Sequence, residues 1–235
     1  MRPAPVVLTA ATTICGLSER PQDVVAAGYD AMAARYAEWA ARVVGDPRGR
    51  YVRQLLALMP ERPDILEVGC GAAVEPTPTL AAAGRFVGVD ISFAQLERAR
   101  ERLPTSRFVH GDLTTTSFEP ASFDAVVALF VLTHVPSEQL PGLIRRIEHW
   151  LRAGGAFLGT FGTGCRHDTV VDDWLGVPMF FSGYDELDNE RLVRHAGLEI
   201  IESMIEPMLE PETEPGRGSR TVAFHWILAR KSRAA

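Results

Sequence analysis

Lysine is almost missing from this chain. Lys231 is the only one among 235 residues, and it stands far from every glycine-rich turn. A mechanism built on a catalytic lysine is therefore disfavoured. Cysteine is scarce as well. The three, Cys15, Cys70 and Cys165, show no metal-ligand spacing, and their odd number gives no disulfide framework. No metal site is expected, and the usage suits a reducing cytoplasm, which is the expected location. Long apolar runs are lacking too, since none reaches the roughly 18 residues of a membrane span. The start of the chain has a single Arg2 and a short apolar run from Val6 to Ala11, without the pattern of a secretory signal. Basic character is the last absence. The formal net charge is -6 and no basic stripe is visible, which argues against nucleic acid as the main partner. Neither nucleic acid nor membrane is expected as a partner, and the oligomeric state is not written in the sequence. The acidic, proline-rich stretch from Glu206 to Glu214 reads as a solvated loop.

What is present is ordinary globular material, 46% hydrophobic and 23% charged, enough for one domain with a small lid. There is no internal repeat. Residues 1–20 show no sustained periodicity and read as a loosely held arm. Val25, Tyr29, Met32, Tyr36, Trp39 and Val43 then follow at alternating spacings of four and three, one face of an amphipathic helix. Asp46-Pro47 opens a second helix, carrying Tyr51, Val52, Leu55, Leu56 and Met59 and stopped by Pro60. These two helices, within 21–60, read as a cap on the domain that fills residues 21–235. From Ile65 onward short apolar strands alternate with helices. Strands are expected at Ile65–Val68, Phe86–Val89, Arg107–His110, Phe123–Phe130 and Ala156–Phe161. Helices are expected from about Thr77 to Gly84, after a Ser92/Gln95 capping box, and over Ser137–Leu151. That alternation implies a parallel sheet covered on both faces. A helix over about Asp185–Ala196 and two antiparallel strands near Glu199–Ile205 and Val222–Ala229 complete the chain.

The chemistry is concentrated at the ends of these strands. Ile65-Leu66-Glu67-Val68-Gly69-Cys70-Gly71-Ala72-Ala73 is a strand running into a glycine-rich turn, where a ligand can approach the backbone closely. Alone, a Gly-x-Gly pair could be any tight turn. Val87-Gly88-Val89-Asp90 ends the next strand in a carboxylate about 20 residues on, the place where Rossmann-like folds hold ribose hydroxyls. Asp112, in Phe108-Val109-His110-Gly111-Asp112-Leu113, ends the third strand and is placed to accept an exocyclic amine. The fourth strand leads from Ser122-Phe123-Asp124 to Leu129-Phe130. Ligands of open α/β sheets bind outside these carboxyl ends.

Taken in order, these segments resemble the class I S-adenosylmethionine (SAM)-dependent methyltransferase family, in particular its small-molecule branch. The resemblance runs from about Tyr29 to Lys231. The family's Glu-x-Gly-x-Gly-x-Gly loop matches at Glu67, Gly69 and Gly71, with Ala73 in place of the last glycine. Its ribose-binding acid falls on Asp90 and its adenine-contacting acid on Asp112. Leu151-Arg152-Ala153-Gly154-Gly155 resembles the turn before the fifth strand, and Tyr29-Asp30 with Tyr36 resembles the N-terminal helix over the methionine end of SAM. The resemblance implies a Rossmann-like, mostly parallel seven-stranded sheet with helices on both faces and an antiparallel last strand. It implies a cofactor site of Tyr29, Tyr36, Glu67, Gly69, Cys70, Gly71 and Asp90, continued by Ile91, Gln95, Gly111, Asp112, Leu113, Leu129 and Phe130. The expected activity is methyl transfer to a small-molecule acceptor by in-line displacement.

Three rival readings compete with it. A nicotinamide dehydrogenase needs a glycine where Val74 stands, and its Tyr-x-x-x-Lys pair is impossible with Lys231 alone. A nucleic-acid amino-methyltransferase would carry a Pro-Pro-aromatic segment where this chain has Phe130-Val131-Leu132-Thr133-His134. A SAM-binding protein without turnover stays open. His134, at the end of the fourth strand, is either a general base or a histidine that holds the turn by hydrogen bonds. The connection from Thr163 to Gly183 is long and apolar, and reads as a lid-like segment over 163–184. Trp174, Met179, Phe180 and Phe181, with His167, are its expected acceptor-binding residues.

Overall fold

The computed structural model describes residues 12–13, 19–164, 167–212 and 218–233. Five strands run parallel: β2 (Asp64–Val68), β3 (Arg85–Asp90), β4 (Arg107–His110), β5 (Phe123–Ala128) and β6 (Leu151–Phe161). A hairpin of β9 (Leu198–Glu210) and β10 (Arg220–Lys231) joins them, β10 lying antiparallel to both β6 and β9. The seven-stranded order is β4-β3-β2-β5-β6-β10-β9, so the direction of winding reverses between β2 and β5. In open α/β sheets that switch point opens a crevice at the carboxyl ends.

Each strand feeds two cores because its side chains alternate between faces. Leu66, Val68, Val126, Ala128, Phe157 and Ile227 meet Leu143, Ile144, Ile147 and Trp150 of α5 (Leu140–Trp150) and Val193 of α6 (Glu186–His195). Ile65, Ala125, Val127, Leu158, Trp226 and Leu228 meet Tyr51, Val52 and Leu55 of α2 (Arg48–Ala57) and Leu80 of α3 (Thr77–Ala83). Burial on both faces explains why these strands read as unbroken apolar runs. α4 (Phe93–Arg102) buries Leu96 and Ala99.

α1 (Pro21–Ala40) belongs to a third cluster. It packs on a small sheet in the order β1-β7-β8, formed by β1 (Thr12–Thr13), β7 (His167–Trp174) and β8 (Val177–Gly183). Val25, Met32 and Trp39 of α1 bury against Trp174, Leu175, Met179 and Phe180. Gly28 makes this contact possible, because a Cβ there would lie 2.7 Å from the Met179 methyl.

Several expectations are corrected. The connection over 163–184 is a β-hairpin paired from His167↔Gly183 to Trp174↔Val177. Its apolar residues are thus organised by strand pairing, which the sequence pattern did not reveal. The acidic stretch is no solvated loop in its first part. Residues 206–210 end β9, where Glu206 pairs with Arg50 and buried Glu210 with Arg220. β6 begins five residues early, at Leu151, and α5 starts at Leu140 after a 3-10 turn over Leu132–His134. Apart from β1, the expected arm over 1–20 falls mainly outside the described residues, as do Cys15 and Cys165.

Tyr51 and Trp226 stack face to face, with centroids 4.7 Å apart, and both are fully buried. Trp226→Ala should cost about 3–5 kcal/mol of unfolding free energy in a urea titration. A loss under about 1 kcal/mol would show that α2 is not anchored on the sheet by this pair.

Candidate functional site

The site begins where β2 leaves the sheet. The amides of Gly69 and Cys70 donate to the Val89 carbonyl at 2.7 and 3.1 Å, folding the turn over the end of β3. Gly69 and Gly71 hold φ of +73° and +52°, the left-handed region that glycine tolerates best. Ala73 also sits there, at φ +52°. Alanine in place of the family's last glycine therefore keeps a glycine-like backbone at some conformational cost.

Asp90 is locked beneath this turn. Its Oδ2 accepts from the Gly71 amide and its Oδ1 from the Ser92 amide, each at 2.8 Å. Burial raises its pKa, and these two N–H groups oppose the rise. The Ser92 hydroxyl caps α4 by accepting from the Gln95 amide. The expected capping box is only half formed, because the Ser92 amide is taken by Asp90. The Gln95 side chain instead faces the cleft, with Oε1 and Nε2 both buried and unpartnered. Above it, the Asp30 carboxylate accepts from the Ser92 hydroxyl at 2.6 Å and the Ala94 amide at 3.0 Å, tying α1 to α4.

Between these elements lies a cleft of about 1070 Å³, open to solvent. It is lined by every residue expected to hold a cofactor except Gly111, whose missing Cβ makes room for the Thr116 hydroxyl. Asp112 lines it too, with Oδ1 accepting from the Thr114 amide and hydroxyl. Glu67 is fully enclosed, its Oε2 has no partner, and burial pushes its pKa up to about 8. Such a carboxyl is costly unless something bound in the cleft satisfies it.

His134 also lines the cleft. Its Nδ1 lies 2.8 Å from the Phe180 carbonyl and its Nε2 lies 2.9 Å from the Tyr29 hydroxyl. A carbonyl only accepts, so Nδ1 carries the proton and Nε2 receives the Tyr29 hydrogen. Burial pulls the His134 pKa down to about 4.

The hairpin residues are placed differently from the expectation. Trp174, Met179, Phe180 and Phe181 are not part of the cleft lining. Trp174 packs behind Tyr29, Tyr36 and Trp39, with centroids 5.8–6.1 Å away, and Phe181 lies 4.9 Å from the His134 ring. Met179 and Phe180 are completely buried. The hairpin thus supports the cleft wall from behind, because strand pairing turns its aromatic residues toward α1. His167 enters β7 by its backbone, and its side chain lies outside the described residues.

Sequence reasoning missed Arg48. Its guanidinium lies 5.0 Å over the Phe130 ring at the cleft, donates to the Glu75 carbonyl at 2.7 Å and pairs with Asp46. The available signal was its place directly after the Asp46-Pro47 helix start. Nothing in that start says that α2 presents its first side chain to the cleft.

Residues 65–155 match the profile of the methyltransferase domain family. This region is similar to the methyltransferase domains of that family. Trans-aconitate 2-methyltransferase of Variovorax paradoxus is 36% identical over 117 residues, 47% of this chain and 43% of that protein. Ubiquinone biosynthesis O-methyltransferase of Methylocella silvestris is 35% identical over 118 residues, 48% and 44% of the two chains. The chain spans less than half the length of these curated relatives. Among solved structures, 1,6-didemethyltoxoflavin-N1-methyltransferase of Burkholderia thailandensis has the same fold. The TM-score is 0.66 at 15% identity, covering 99% of this chain and 100% of that one.

Two of the buried titratable groups at the cleft, Glu67 and His134, carry opposite pH signatures. Glu67 has a folded pKa of about 8 against an ordinary 4.5, so its contribution to stability is lost as pH rises through that interval. His134 falls from 6.5 to about 4, so its contribution is lost as pH drops through that lower interval. Urea midpoints measured from pH 4 to pH 9 should fall toward both ends. Glu67→Gln should flatten the alkaline limb by up to about 5 kcal/mol and His134→Gln the acid limb by up to about 3 kcal/mol. Unchanged limbs would mean that neither group is buried in solution.

Proposed function

We propose that this chain is an enzyme that binds SAM in the cleft and transfers its methyl group to a small-molecule acceptor. The observation that carries this is a set of buried, unpartnered polar atoms, Glu67 Oε2 with Gln95 Oε1 and Nε2, on side chains that line the same cleft as the amide-locked Asp90. Polar groups left open inside a protein are explained best by a ligand that completes them. The residues fit a nucleoside joined to an amino acid. Asp90 and Gln95 are set to take ribose hydroxyls, Asp112 and Leu113 the adenine, and Glu67, Arg48 and the glycine turn the charged amino-acid end. The acidic lining of Glu75, Asp90 and Asp112 suits a cofactor that carries positive charge.

When bound, SAM supplies an activated methyl on a sulfonium. The protein's task is to hold an acceptor in line at about 3–3.5 Å and to keep water out. Tyr29, Tyr36, Ala37, Ala40 and Phe130 give one stretch of the cleft an apolar, aromatic wall suited to a small organic acceptor. The relatives' names support the same class, because trans-aconitate and a toxoflavin precursor are small molecules.

Calorimetry should show binding of SAM and S-adenosylhomocysteine and none of NAD; the reverse pattern would end this reading. Asp90→Asn keeps the size of the side chain and removes a charged acceptor, a loss of about 1.5–3 kcal/mol. It should weaken SAM binding roughly tenfold or more. Unchanged affinity would move the ribose contact to another residue.

A further inference from the structure

Resting on the methyltransferase reading above, we infer that Tyr29 takes the proton of a phenolic acceptor and passes its own proton to His134, which makes aromatic hydroxyls the substrate class. Four features on three separate elements set this up. Tyr29 of α1 lines the cleft, and its hydroxyl lies 2.9 Å from His134 Nε2. His134, on the turn after β5, has its other nitrogen 2.8 Å from the Phe180 carbonyl of β8, so Nε2 is the side with the free lone pair. The Tyr29 hydrogen is committed to that lone pair, so its oxygen is left to accept a proton from the cleft. Every hydrogen bond in the row then runs the same way, from the cleft wall through Tyr29 and His134 to a carbonyl.

That polarity accepts a proton from the cleft and gives none back. The step balances as follows. The acceptor oxygen forms a bond to the methyl carbon while the carbon–sulfur bond breaks with its electron pair going to sulfur. The acceptor proton moves to the Tyr29 oxygen, and the Tyr29 proton moves to His134 Nε2. One cation is lost at the sulfonium and one appears on the imidazole, so the net charge of the enclosed space is unchanged. Conserved charge removes the main objection to protonating so buried a histidine. A carboxylate acceptor arrives already ionised and has no use for the row. The walls of Tyr29, Tyr36 and Phe130 present ring faces and edges that suit a flat aromatic acceptor. Tyr29 is then the catalytic residue, and His134, acting through it, is a positioning residue that also stores the proton.

The test uses the full chain, and S-adenosylhomocysteine binding measured by calorimetry reports on the underlying reading alone. With methyl-labelled SAM and a panel of simple phenols, amines, thiols and carboxylic acids, label should enter phenols and not carboxylic acids. Tyr29→Phe and His134→Gln should each cut that rate about 10²–10⁴-fold, and His134→Gln should leave S-adenosylhomocysteine affinity within about threefold. The double variant should lose little more than the worse single one, because the two act as one unit. Glutamine can still accept the Tyr29 hydrogen bond but cannot store a proton, so a merely structural His134 would be rescued by it. Nitrogen-15 spectra of labelled histidine should show His134 protonated at Nδ1 and bare at Nε2 near neutral pH. The opposite tautomer, full activity in His134→Gln, or binding of S-adenosylhomocysteine with no phenol labelled would overturn the assignment.

Discussion

The turn after β2 is held down by the strand beside it. Gly69 and Cys70 both donate to the Val89 carbonyl near the end of β3, and Gly71 donates to the side chain that ends it, Asp90. Parallel pairing of β2 with β3, from Asp64↔Arg85 to Val68↔Val89, brings the two strand ends level, and only then can these bonds form. The same carboxylate receives the Ser92 amide, which sets the start of α4, and Ser92 in turn meets Asp30 of α1. One buried acid therefore registers the glycine turn, a helix start and the covering helix against each other. Burying a carboxylate is costly, and two charge-assisted bonds to backbone amides offset much of the cost.

Glu67 and Gln95 show the opposite balance. Both are buried, and both keep polar atoms unpartnered. A protein optimised only for stability would fill such positions with apolar groups or complete their bonds. Such open polar atoms beside a cleft fit the general clustering of perturbed ionisable groups at functional positions. The hairpin of β7 and β8 contributes differently. None of its described residues lines the cleft, yet it fixes α1 by packing and supplies the carbonyl of Phe180 that orients His134.

Much of this was legible in the chain. Strand and helix periods, the glycine turn and the acids at Asp90 and Asp112 are local features, set within a few residues of one another. Parallel sheets covered on both faces leave a strong pattern of apolar runs separated by amphipathic helices. From that order the switch point, and the residues that gather there, could be placed before any coordinate was known. The half-formed capping box shows the limit of such reasoning. Ser92 and Gln95 have the right spacing, but Asp90 competes for the Ser92 amide and wins, and the glutamine is released to the cleft.

What the sequence by itself determined was the seven-stranded core and the rim of the cleft, because their signals lie in short-range spacing. Only the tertiary structure decided that the apolar segment after β6 is a hairpin against α1, that Arg48 reaches the cleft, and that Tyr29 meets His134 across 105 residues of chain. Contacts of that range leave no periodic trace. They arise when separate elements pack, and the direction of a hydrogen bond between them follows from a carbonyl on a third element.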